Sequence, residues 1–194
     1  MSDVIRTEKV EKIYDDNGVA VHALKGIDLN VQKGEFLVIA GPSGSGKTTL
    51  LNLLGALDEP TKGRVLLEEN DISRKSKKEL SQMRLQKIGF VFQAFNLIPV
   101  LSALENIEFT MMLRGIPEKE RHERAIAVMK DLGIEELAHK RPNEMSGGQQ
   151  QRVAVARAIV NNPSIVLADE PTANLDSDTG ANLLDLMEQM NRER

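Results

Sequence analysis

Residues 34–55, GEFLVIAGPSGSGKTTLLNLLG, narrow the possible folds more than any other stretch of this chain. The run GEFLVIA (34–40) is apolar and rich in branched side chains, as in a strand buried inside an α/β sheet. KTTLLNLLG, which follows, has the leucine pattern of a helix. Between them GPSGSGKT (41–48) matches G-x-x-x-x-G-K-[ST] in the strand–loop–helix setting that this pattern requires. Loop amides and a helix N-terminus there make a cradle for a polyphosphate. The loop runs Gly41, Pro42, Ser43, Gly44, Ser45 and Gly46 into Lys47, Thr48 and Thr49, and all nine are assigned to the nucleotide. Lys47 is expected to reach the β- and γ-phosphates, and the Thr48 hydroxyl to ligate Mg²⁺. A glycine turn that happens to hold Lys-Thr is the plainer alternative, and the flanking strand and helix argue against it.

Two more short apolar runs, IGFVF (88–92) and SIVLAD (164–169), read as buried strands that open into polar loops at their carboxyl ends. Open α/β sheets place their ligands there. SIVLADE delivers Asp169 to hold Mg²⁺, directly or through water, and Glu170 to accept a proton from an attacking water. An acidic pair that merely caps a strand is the alternative. Residues 94–160 show helical periodicity in LSALENIEFTMML and PEKERHERAIAVMKDLG, and read as an inserted helical subdomain. RTEKVEKIY and AVHALKGIDLNV alternate as antiparallel strands flanking the core. Met111, Met112 and Met129 sit at helical spacing among apolar neighbours, which predicts core packing.

A second glycine loop, MSGGQQQR (145–152), lies a hundred residues after the first. Ser146 and Gln149 fit an S-x-x-Q capping box, so a helix should begin here. Capping does not account for Gly147 and Gly148, which let another surface approach the bare backbone amides. The loop is therefore a second phosphate-binding surface, far in sequence from Lys47.

Composition excludes several classes. With 41% hydrophobic residues the chain can bury a core, and without cysteine it has neither disulfides nor thiol chemistry, which fits a reducing, cytoplasmic setting. A net charge of -4, from 25 basic and 29 acidic residues, argues against a protein that wraps nucleic acid. The densest basic stretch, SRKSKKELSQMRLQK (73–87), reads as a solvated helix face. The N-terminus lacks the apolar core of a signal peptide, and no apolar run approaches the roughly 18 residues of a membrane span. If the protein works at a membrane, another polypeptide supplies the crossing.

GPSGSGKT, Gln93 after a strand, MSGGQ, SIVLADE and ANLD, in this order, resemble the nucleotide-binding subunit of an ATP-binding-cassette transporter along essentially the whole chain. The resemblance implies an α/β P-loop NTPase (RecA-like) core with an N-terminal antiparallel β subdomain. Residues 1–93 and 161–194 would form that core and 94–160 the helical subdomain, in one domain spanning 1–194. It implies ATP hydrolysis with Mg²⁺ by a head-to-tail homodimer. The loop Ser146, Gly147, Gly148 and Gln149 of one subunit would close on the ATP held by the other's first loop.

Tyr14 would stack on adenine, and Gln93 would touch Mg²⁺ and begin the link to the helical subdomain. Asn174, Leu175 and Asp176 would run between the two sites, with Asp176 or Ser177 also capping the last helix. Membrane-spanning partners would dock beside Gln93, Phe95, Leu97 and Ile98, holding the subunit on the inner face of the membrane; packing within the protein is the alternative role for those apolar residues. VHALKGIDLNV, FQAFNLIPVLSALENI and LADEPTANLDS are most similar to cassettes of lipoprotein-release, macrolide-export and antimicrobial-peptide exporters. Met145 stands where leucine is usual and Ala173 where these exporters commonly have glycine. The family also has a γ-phosphate histidine after a further strand, whereas His22, His122 and His139 all precede Asp169. The resemblance thus implies a chain that stops short of the family's usual end. An ATP-controlled signalling clamp and a soluble cassette ATPase of translation or repair share this chemistry; cargo and direction are not written in these residues.

Overall fold

The computed structural model describes residues 3–16 and 18–193. The chain divides into two compact units, Met1–Arg84 and Leu85–Arg194.

The first unit is built on an antiparallel sheet of β1 (Asp3–Asp16), β2 (Val19–Gln32), β3 (Lys62–Leu67) and β4 (Asn70–Asp71), in the order β2-β1-β3-β4. Strict alternation along β1 would put Ile5 and Thr7 on one face and Val10 on the other. All three are buried, because the register shifts between Thr7 and Val10, where Lys9 takes a φ of 46°. The extra residue of this bulge returns Val10 to the core. Asp28 holds the bulge by accepting the Lys9 amide at 2.7 Å. Helix α1 (Lys47–Leu54) buries Leu50, Leu53 and Leu54, the expected helix after the glycine loop.

The segment before that loop differs from the expectation. Residues 35–42 form no strand, and Phe36, Leu37, Val38 and Ile39 are all exposed, Val38 to 72%. An apolar run becomes a buried strand only when a neighbour takes up its backbone hydrogen bonds. This run has no ladder partner among the described residues, so water solvates its backbone and its side chains stay out of the core.

In the second unit β5 (Ile88–Val91) and β6 (Ile165–Ala168) pair in parallel, with Phe90 opposite Leu167 and Val91 opposite Ala168. Helices α3 (Ala103–Leu113), α4 (Glu118–Asp131), α5 (Gly147–Ile159) and α6 (Ser177–Glu193) complete it. Their core joins Ile107 and Met111, Val128 and Met129, Val153 and Ala156, and Leu183. Met112 departs from the core role expected of it; it is 47% exposed, one position round the helix from buried Met111. Ser102 and Glu105 close a capping box at the start of α3. One turn in, buried Asn106 accepts the Ile98 amide at 2.7 Å and donates to the carbonyls of Ile98, Leu101 and Ser102 at 2.9 to 3.2 Å. That single side chain ties the loop after β5 to the helical core. In the basic stretch, α2 (Lys77–Lys87) buries Leu80 alone and exposes Lys77 and Lys78, as a solvated face should, while Lys87 at its end is half-buried.

Candidate functional site

The first glycine loop turns on Gly46, which caps α1 with a φ of 93°. A Cβ there would lie 2.7 Å from the Ala23 carbonyl oxygen, so both the left-handed backbone and the close approach to β2 require glycine. The Lys47 ammonium donates to the Gly41 and Pro42 carbonyls at 2.9 and 3.0 Å, which keeps its charge folded over the loop. Thr48, next along, is exposed at the start of the helix.

Tyr14, on β1, belongs to the same unit. Its hydroxyl donates to Asp58 at 2.8 Å and is also hydrogen-bonded to the Thr49 side chain, while the Lys12 ammonium lies 4.8 Å from the ring centre. Lys12 in turn donates to Asp58 at 2.7 Å. Partial burial and the Asp58 bond raise the Tyr14 pKa, against the lowering effects of Thr49 and Lys12. At Asp58 burial pulls upward, but hydrogen bonds from Lys12, the Glu59 amide and Tyr14 prevail and hold the carboxyl below its ordinary value.

The second unit brings the remaining candidates together. Gln93 follows β5 and Asp169 follows β6, so the two leave the carboxyl ends of adjacent parallel strands, and the Asp169 amide donates to the Val91 carbonyl at 3.0 Å. Glu170 is exposed and has a φ of 45°, in the left-handed region that disfavours side chains other than glycine. Asn174 donates to the Gln93 carbonyl at 2.8 Å. Asp176 caps α6 by accepting the Thr179 amide at 2.9 Å, and this bonding with Thr179 keeps its carboxyl below the usual range.

At the second glycine loop both capping bonds form: Ser146 accepts from the Gln149 amide at 3.3 Å, and Gln149 accepts from the Ser146 amide at 2.9 Å. The first intrahelical bond runs from Gln150 to Ser146, so the Gly147 and Gly148 amides precede the helix ladder. A Cβ on Gly147 would meet Asn174 O at 3.5 Å, Leu175 Cδ2 at 3.6 Å and Phe95 Cζ at 3.7 Å, so the loops after β5 and β6 converge here. Gly148 faces α6, where a Cβ would come within 2.7 Å of Thr179 Cγ2. Of the apolar loop residues, Leu97 packs against the helical core, while Phe95 and Ile98 are half-buried.

The sequence profile of the ABC transporter family matches residues 24–173. The chain belongs to the ABC transporter family. An uncharacterized ABC transporter ATP-binding protein of Thermotoga maritima is 52% identical over 98% of this chain and 81% of its own length. The lipoprotein-releasing system ATP-binding protein LolD of Aquifex aeolicus is 47% identical over 98% of this chain and 84% of its own. Among solved structures, the dimeric post-hydrolysis state of the ATP-binding cassette MJ0796 bound to ADP and Pi, a protein of Methanocaldococcus jannaschii, shares 46% identity and a TM-score of 0.89, covering 97% of this chain and 83% of that one. As a member of the ABC family the chain is an ATP-binding, ATP-hydrolysing subunit, and Mg²⁺ is its cofactor. None of its described helices is long and apolar enough to cross a membrane.

Four contributors in this ABC subunit carry no motif of their own. Lys12 and Asp58 frame Tyr14 but come from a strand and a loop 46 residues apart, which no local pattern links. Arg157 on α5 donates to the carbonyls of Asn96 at 2.5 Å and Phe95 at 2.8 Å, two residues with positive φ, and its burial pushes the guanidinium pKa down. Gln151 is fully buried on the same helix. Its signal was legible, since a glutamine three, four and seven residues ahead of Ala154, Val155 and Ala158 occupies the apolar stripe.

Proposed function

We propose that this chain is the motor subunit of a transporter in which two copies sandwich ATP head to tail, the first glycine loop of one against the SGGQ loop of the other. The observation that carries the reading is the start of α5: a closed capping box satisfies Ser146 and Gln149 and leaves the Gly147 and Gly148 amides ahead of the ladder, at a helix end where anions bind. Lys47 holds the β- and γ-phosphates, exchanging the Gly41 and Pro42 carbonyls for phosphate oxygens. Tyr14 stacks on adenine, its ring already steadied by Asp58 and Lys12.

Thr48, Gln93 and Asp169 offer a hydroxyl, an amide and a carboxylate, all oxygen donors suited to a hard cation, and these three would hold Mg²⁺. When bound, the ion neutralises charge on the phosphates. Glu170 takes a proton from the attacking water. Asn174, Leu175 and Asp176 run between the paired sites, and the bond from Asn174 to the Gln93 carbonyl supports a link between that loop and the metal-binding segment.

Membrane-spanning partners dock beside Gln93, against Phe95 and Ile98, with the subunit on the inner face of the membrane. Leu97 serves the helical core instead. The test is size-exclusion chromatography of Glu170→Gln with ATP and Mg²⁺. The amide preserves shape but is no base, so hydrolysis slows and ATP should hold a dimer that wild type does not retain. A variant that stays monomeric, or that turns over at the wild-type rate, contradicts the reading.

A further inference from the structure

Gln151 is wholly buried on α5, whose other buried residues, Val153 to Ala156, Ala158 and Ile159, are all apolar. Burying an amide is unfavourable unless its polar atoms are bonded. Its Nε2 donates to the Pro171 carbonyl at 2.7 Å, and at the outer limit of 3.5 Å to the Phe92 carbonyl, which already accepts the Phe95 amide at 3.2 Å. Pro171 is the stronger contact. Gln151 Oε1, by contrast, is buried without a hydrogen-bond partner among the described residues. A side chain retained for stability alone has no reason to leave a buried acceptor unmet, so the bond to Pro171 must serve something else.

Pro171 directly follows Glu170, whose φ of 45° is strained for a residue with a side chain. Such a conformation persists only when its surroundings over-determine it. Here the Asp169 amide is tied to Val91 at 3.0 Å on one side, and the Ala173 amide closes onto the Glu170 carbonyl at 3.1 Å on the other. The bond from Gln151 fixes the peptide between them. We propose that Gln151 is a positioning residue for hydrolysis: by holding the Pro171 carbonyl it fixes the left-handed backbone at Glu170 and so aims that carboxylate. Because Gln151 lies one turn into the helix that the SGGQ loop begins, it also ties that loop to Glu170 within one subunit. The inference rests on the assignment of Glu170 as the base.

Two variants of the full protein test it. Gln151→Leu keeps the bulk and removes the donor. It should fold, bind Mg-ATP with wild-type affinity and lose turnover on the order of 100-fold at unchanged KM, the scale of a reacting group displaced by about 1 Å. Gln151→Glu can donate to Pro171 only when protonated, and burial beside two carbonyls raises the pKa of the introduced carboxyl. Its turnover per folded molecule, with the folded fraction read by thermal unfolding at each pH, should therefore rise relative to wild type as the pH is lowered from about 9 to about 6, whereas a merely structural role changes only the folded fraction. Wild-type turnover in Gln151→Leu overturns the proposal. So does a Gln151→Glu ratio that is flat with pH, which also decides the matter if the leucine variant does not fold. Failure of the wild-type protein to release phosphate from ATP, or wild-type turnover in Glu170→Gln, would instead strike the underlying assignment.

Discussion

Gly147→Ala separates the two roles open to the SGGQ loop. Within the subunit the new methyl meets Asn174 O at 3.5 Å, Leu175 Cδ2 at 3.6 Å and Phe95 Cζ at 3.7 Å, all ordinary contacts, and Gly147 has no positive φ. Replacing glycine by alanine in a helix stabilises it by about 0.5 kcal/mol, so the folded subunit should be at least as stable as wild type. The partner's phosphate meets a different situation. An oxygen bonded to a helix amide sits about 2.9 Å from the nitrogen, while a methyl on the adjoining Cα keeps other atoms about 3.5 Å away. The phosphate is thus pushed back by about 0.5 to 1 Å, and turnover should fall on the order of 100-fold, ~2.7 kcal/mol in the barrier. Thermal unfolding and steady-state phosphate release, measured on one preparation, read both effects. A folded variant with wild-type turnover refutes the composite-site reasoning. Gly148→Val is a poorer probe, because its Cβ alone comes within 2.7 Å of Thr179 Cγ2 and lost turnover could follow from displaced α6.

Lys47→Ala should abolish useful Mg-ATP binding, read by titration with labelled nucleotide; near-native affinity would remove the ammonium from the phosphate site. Asn106→Ala deletes four hydrogen bonds of a fully buried side chain and should lower stability by about 3 kcal/mol in denaturant titration, whereas a loss below about 1 kcal/mol would mean that the loop after β5 is held by other contacts. Asp58, held below the ordinary carboxylate value when folded, contributes stability above that value and loses it as the pH falls through the lowered one. The advantage of wild type over Asp58→Asn should therefore be constant above about pH 4 and close below it; an advantage that persists in acid would show that Asp58 acts through shape rather than charge.

Much of the second unit could be read from the chain because its signals are local. The Ser146 cap, the helical periodicity of α3, and the short apolar runs of β5 and β6 each lie within a few residues of the structure they dictate. GEFLVIA carried the same apolar signal but forms no strand, since pairing depends on a neighbour that local sequence does not name. The bulge in β1 was equally illegible: it rests on Asp28 meeting the Lys9 amide from another strand. Around the candidate site, the glycine loops and the acidic pair announce themselves by motif. Lys12, Asp58 and Arg157 do not, because their partners are brought together by the fold, and the left-handed backbone at Glu170 has no sequence signature at all.

The central claim is that each ATP is hydrolysed between two copies of the chain, and the dependence of turnover on protein concentration tests it most directly. Phosphate release at saturating ATP and Mg²⁺ is measured over a dilution series and divided by the amount of protein. A composite site predicts that the rate per chain climbs with concentration and levels off once dimers dominate, with Gly147→Ala low throughout. A rate per chain that stays constant to the lowest dilution, while Gly147→Ala matches wild type, would mean that one subunit hydrolyses ATP unaided.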